Sequence, residues 1–285
     1  MSRIGNNPLR FAQAPNTIEN IVFVVVTHLP DPSGNSITDY HGQRFEVIKT
    51  CLETMRDNSH RKHTFMVWDN GSEDGFKQWL QNEFKPDILV QSKNIGKNAA
   101  RAMAIQSLPL GSIVCYSDDD ILYSDNWLNP QIELLNHFPN VACVSGYPLR
   151  VMFRWGVENT MKWAKENAKI EQGRLMPKEW DMDYCESVGQ DYQQYVEKTI
   201  KDIDYRATFN GKKAYLTAHH CQFIGYAVKI LPALTMEHDK AMGDEKPLDV
   251  LMDKIGLRLS TTDRLCRHMG NVLDEKLKNE IMEKA

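Results

Sequence analysis

Alternation constrains this chain most: short β-branched runs recur along its first half, each followed by a stretch with helical periodicity. Residues 21–26 (IVFVVV), 64–68 (TFMVW), 88–90 (ILV), 112–116 (SIVCY) and 141–145 (VACVS) are the runs. The first is apolar without interruption, as in a strand covered on both faces, rather than alternating as in a half-exposed one. Between the first two, residues 43–58 place Phe45, Val47, Ile48, Leu52 and Met55 at helical spacing, and further helices are expected near 75–82 and 97–107. Strands alternating with helices predict an α/β fold with a mostly parallel sheet and right-handed crossovers. In such a sheet the ligand site lies at the carboxyl ends of the strands, so the loops that follow the runs are where chemistry is sought.

The second half is less regular. Residues 150–204 are charged, aromatic-rich and expected to be mostly helical, with Trp155, Trp163 and Trp180, either as an insertion that shapes a pocket or as a plain helical cover. Strand-like sequence returns at 214–218 and 222–224. A helix is expected over 248–255, stopped at Gly256, and a charged amphipathic helix over 273–285. No repeat or low-complexity linker divides the chain, so one domain over residues 1–285 is expected.

Composition narrows the partners. The formal net charge of -4 argues against nucleic acid, which calls for a basic face. The six cysteines lie far apart with no C-x-x-C pair, which fits a reducing compartment. No apolar signal core opens the sequence and no run approaches the length of a membrane span, so a soluble, cytoplasmic protein is expected.

Four strand ends carry polar loops: Thr27-His28, Asp69-Asn70-Gly71-Ser72, Ser92-Lys93-Asn94-Ile95-Gly96-Lys97-Asn98, and Asp118-Asp119-Asp120. Each alone is ordinary turn chemistry, but a parallel sheet converges them on one crevice. Three adjacent aspartates at a strand end are costly unless a cation or hydrogen-bond donors neutralise them. Oxygen ligands of this kind suit Mg²⁺ or Mn²⁺. The competing structural reading makes the acidic run a cap for a helix near Trp127.

The opening strand with Thr27-His28, the Trp68-Asp69-Asn70-Gly71-Ser72 turn, Asn94-Ile95-Gly96 with Asn98 and Arg101, and Tyr116-Ser117-Asp118-Asp119-Asp120 together resemble the GT-A glycosyltransferases, most closely the family 2 type. The resemblance implies a nucleotide-sugar-binding half over about residues 20–149, an acceptor half over 150–272, and a C-terminal helix. It implies transfer of a sugar from a nucleoside diphosphate, UDP-sugar in the first instance, to an acceptor hydroxyl, with Mn²⁺ or Mg²⁺ as cofactor. Asp69 would then contact the base, Asp118 the ribose and Asp120 the metal, with Asp119 beside them. Thr27 and Asn94 would line the nucleotide cleft and Arg101 its edge.

Farther on, Gly243-Asp244-Glu245-Lys246-Pro247-Leu248 is similar to the family's acidic pair before a helix. That implies Glu245 as the catalytic base of an inverting enzyme, with Asp244 and then Asp249 as alternatives; a charged helix start is the structural reading. Pro247 replaces the family's usual acid. His268 resembles the C-terminal histidine that completes the metal shell. His219-His220 is a second candidate pair, and as strand neighbours the two would face opposite ways. Two rival functions remain at this level. A nucleotidyltransferase would carry a Gly-rich basic loop after the first strand, which Thr27-His28-Leu29-Pro30 lacks, and a non-catalytic sugar-nucleotide or carbohydrate binder would keep the cleft without turnover.

Overall fold

The computed structural model describes residues 20–31, 38–199, 202–235 and 245–284. The first half alternates as its sequence predicts: β1 (Ile21–Thr27), α1 (Thr38–Asp57), β2 (Thr64–Asn70), α2 (Asp74–Trp79), β3 (Ile88–Ser92), α3 (Lys97–Gln106), β4 (Ile113–Ser117), β5 (Ile121–Tyr123), α4 (Leu128–His137) and β6 (Val141–Ser145). The second half adds α5 (Glu158–Asn167), β7 (Lys169–Gly173), α6 (Lys178–Ser187), α7 (Tyr192–Thr199), β8 (Asp204–Phe209), β9 (Lys212–Tyr215), β10 (Gln222–Tyr226) and α8 (Ala227–Ile230). It ends with α9 (Lys246–Ile255), β11 (Leu257–Ser260), β12 (Cys266–His268) and α10 (Glu275–Lys284).

Ten of these strands form one sheet in the order β3-β2-β1-β4-β10-β6-β11-β9-β8-β7. The β3-β2-β1-β4 block is parallel, and β10 enters antiparallel between β4 and β6. The chain runs from β1 out to β2 and β3 and then crosses back to β4 on the other side of β1, and the crevice opens at this switch point. The uninterrupted β1 run has its physical reason in the packing. Phe23 and Val25 join the core under α1 and α4, while Val22, Val24 and Val26 join the opposite core with Ala100 and Ile105 of α3 and Met252 of α9. Both faces of the strand are dry.

Three expectations change. Residues 150–204 are mostly helical but also contribute β7, which pairs with β8 at the sheet edge. The predicted strand over 214–218 ends at Tyr215, so His219 and His220 lie in a loop instead of on opposite faces of a strand. Their rings are neighbours, with centroids 4.7 Å apart. The acidic run does not cap α4: β5 intervenes, and the cap position is Trp127, which makes no side-chain capping bond. No helix among the described residues is long and apolar enough to cross a membrane.

Candidate active site

β5 and β12 explain how the site is assembled. They pair antiparallel in a separate two-stranded sheet with His268 opposite Ile121, which carries His268 from far along the chain to the end of the acidic run. The Met269 amide donates to the Asp120 carbonyl at 2.8 Å, and the Asp118 amide to the Cys221 carbonyl at 2.7 Å. The run is thus clamped by backbone on both sides. It lines a crevice of about 770 Å³ together with His28, Asn70, Asn94 and Lys97 on the sheet side and residues of α6 and the β12–α10 connection on the other.

Each aspartate has its own partner. Asp118 takes a hydrogen bond from the Tyr116 hydroxyl at 2.8 Å and an ion pair from Lys97 at 2.7 Å. Asp119 pairs with Arg44 and accepts the His28 amide at 3.1 Å. Asp120 lies 3.2 Å from Arg44 Nη1 and 3.3 Å from His268 Nε2, both through Oδ2. Burial drives the Asp119 carboxyl up, only partly offset by Arg44, and leaves it at about 6. Burial also opposes charge on Asp120, but there His268 and Arg44 outweigh it and hold the carboxyl well below the usual range. His268 responds in kind: burial lowers its pKa, Asp120 raises it, and the net shift is upward.

Of the residues singled out in the sequence, Asn94, Asp118, Asp119, Asp120 and His268 line the crevice. Asp69 does not: its side chain is fully buried, with Oδ1 accepting the Ser72 amide at 3.2 Å, while the adjacent Asn70 reaches the crevice. Strand alternation makes the difference, because neighbours on β2 point opposite ways. Thr27 is likewise buried between Val26 and His28, which do line the crevice. Arg101 lies behind the wall, bonded to Asn98 at 2.7 Å and to Glu245 at 2.8 Å.

Glu245 stands at the mouth of α9 with its carboxylate shared between Lys97 at 3.0 Å and Arg101 at 2.8 Å. Burial opposes its charge, but the two cations prevail and hold it at about 2, so they and not the helix end are the main cause of its ionisation. Asp244 falls outside the described residues. Asp249 is committed to Arg258, to Trp155 Nε1 at 3.1 Å and to His220 Nδ1 at 2.9 Å.

Arg44 and Lys97 line the crevice, and sequence reasoning assigned neither a role. Lys97 was part of the polar stretch noted after the third strand run but was given no role there; in the structure it is the first residue of α3. Arg44 sits inside an amphipathic helix pattern, where nothing local distinguishes it from a surface arginine.

The donor set fits a divalent cation. Asp120 Oδ1 is buried with no hydrogen-bond partner among the described residues, and its other oxygen already faces an imidazole nitrogen. A carboxylate suits Mn²⁺ or Mg²⁺ and a neutral imidazole is acceptable to Mn²⁺, with the remaining positions open to water or phosphate oxygens.

The profile of the family described as Glycosyl transferase family 2 matches residues 40–190, just over half of the chain's 285 residues. Among solved structures, GalNAc-T7 with UDP, GalNAc and Mn²⁺ is similar over 88% of this chain and 43% of that one, with a TM-score of 0.50 at 13% identity. At that identity the likeness is one of fold, the GT-A arrangement of a mostly parallel sheet flanked by helices. A mannosyltransferase from Pyrobaculum calidifontis, in complex with GDP-Man and Mn²⁺, is 22% identical over 46% of this chain and 36% of that one, with a TM-score of 0.34. The chain therefore spans less than half the length of either protein. No curated protein matches it.

Proposed function

Because the chain belongs to glycosyl transferase family 2, we propose that it is a metal-dependent glycosyltransferase moving a sugar from a nucleoside diphosphate to an acceptor hydroxyl. The observation that carries this reading is the pairing of Asp120, one oxygen unpartnered among the described residues, with His268 in the crevice at the switch point. UDP-sugar is the first donor to try; the GalNAc-T7 complex, similar in fold, contains UDP.

In this reading Asn70 and Asn94 offer amide groups to the nucleoside, and Asp118, oriented by Tyr116, accepts from the ribose hydroxyls. Lys97 and Arg44 face the diphosphate. Asp120 and His268 hold the divalent ion, which when bound offsets the charge of the departing diphosphate. The acceptor oxygen attacks the anomeric carbon, the carbon–oxygen bond to the diphosphate breaks, and its electron pair leaves with the nucleotide. The acceptor's proton passes to Glu245, and direct attack inverts the anomeric centre.

A proton acceptor works best with its pKa near the operating pH, and the two cations leave Glu245 far below that. Lys97 is the cation a diphosphate would draw away, since it also pairs with Asp118 and lines the crevice. Donor binding then raises the basicity of Glu245 at the moment it is needed.

Thermal-shift measurements with a panel of nucleotide sugars, each with Mn²⁺, Mg²⁺ or chelator, test the reading, because a ligand bound only by the folded chain raises its midpoint. A nucleoside diphosphate sugar should stabilise the chain in metal and be hydrolysed slowly. Stabilisation without any turnover would point to a binder instead of an enzyme.

A further inference from the structure

We infer that Ser187, on the last turn of α6, is a positioning residue that fixes which nitrogen of His268 is presented to the metal; the inference rests on the metal site proposed above. His268 is held through both ring nitrogens. Its Nε2 lies 3.3 Å from Asp120 Oδ2 and its Nδ1 lies 2.9 Å from Ser187 Oγ. The serine hydroxyl is also 2.7 Å from the Tyr184 carbonyl oxygen. A carbonyl can only accept, so the single hydroxyl proton goes to Tyr184, and toward His268 the oxygen can act only as acceptor. In the neutral ring the proton therefore sits on Nδ1, and Nε2 is the nitrogen with a free lone pair. A metal-binding histidine needs this combination, one N–H anchored by a neighbour and the other nitrogen free to ligate.

A second observation fixes the distance. Gly270 has φ +76°, and a Cβ there would lie 2.3 Å from the Ser187 carbonyl oxygen. The backbone just after His268 closes on the end of α6 so tightly that only glycine fits. The anchor comes from the 150–204 segment, and Glu186 and Val188 on either side of Ser187 line the same crevice. That segment is thus part of the metal site's construction as well as the crevice wall.

The test is Mn²⁺ affinity of the full chain in saturating UDP, read from the electron paramagnetic resonance signal of free Mn²⁺. The chains compared are wild type, Ser187→Ala, Ser187→Thr and His268→Ala, with circular dichroism confirming that each is folded. Ser187→Ala should weaken Mn²⁺ binding by about 10-fold or more. Ser187→Thr, which keeps the hydroxyl, should bind near wild type, and UDP affinity in chelator should be the same in wild type and the two Ser187 variants. Wild-type Mn²⁺ affinity in Ser187→Ala beside a loss in His268→Ala would overturn the role of Ser187 and leave the metal site standing. Wild-type affinity in His268→Ala would overturn the ligand assignment itself, and the inference with it.

Discussion

Asp119 and Asp120 are neighbours in the chain, yet burial wins at the first and the surrounding cations win at the second. Crowding alone says that deleting any one of three adjacent carboxylates relieves repulsion. The pairing in the structure says otherwise for Asp120, whose removal leaves Arg44 and His268 without their shared partner. Asp120→Ala is therefore expected to abolish Mn²⁺ binding and transfer, and to lower the stability of the metal-free chain by about 1–3 kcal/mol in urea unfolding. Glu245 supplies a pH test. Its carboxyl is lowered from 4.5 to about 2 in the folded chain, so it contributes stability above 4.5 that is lost as pH falls through about 2. Glu245→Gln should lack that part of the acid-side decline in the thermal midpoint. The same variant should turn over at least about 10²-fold more slowly with little change in donor affinity if Glu245 takes the acceptor's proton.

At the scale of elements, the turns that end the strands hold the site in register. Gly71 follows β2 with φ +83°, and a Cβ there would sit 2.6 Å from the Asn94 amide nitrogen. The β2 turn and the loop before α3 are packed backbone to backbone, which is why Asn70 and Asn94 bond at 3.2 Å. Gly71→Ala is expected to destabilise the chain by about 1–3 kcal/mol and to weaken nucleotide binding more than metal binding, measured by unfolding and by calorimetry. β1, β2, β4 and β6, buried on both faces, were legible in the sequence because their apolar runs are continuous, and the shorter apolar runs of β3 and β10 were legible as well. β5 and β12 were not, since each is only three residues long and their pairing brings together parts of the chain that no local pattern connects. The same reason hid Arg44. His268 and Asp69 could be placed only through resemblance to a family, and a sequence does not say which residue of a strand end faces the crevice.

Taken whole, the molecule sets its acidic run where a parallel sheet leaves a crevice, and then builds three cationic side chains around it. Lys97 serves Asp118, Arg44 serves Asp119 and Asp120, and His268 serves Asp120. The carboxylates are therefore balanced within the protein, and under the proposed function a nucleotide carrying two phosphates would gain little from the crevice until Asp120 and His268 held a divalent ion. Since a metal-binding imidazole must shed its second proton, metal uptake should release protons and strengthen with rising pH. Calorimetric titration of UDP into the chain, once in Mn²⁺ and once in chelator, tests this dependence directly. The account predicts affinity at least about 10-fold tighter with the metal, a difference of about 1.4 kcal/mol, and equal affinity in the two titrations would contradict it.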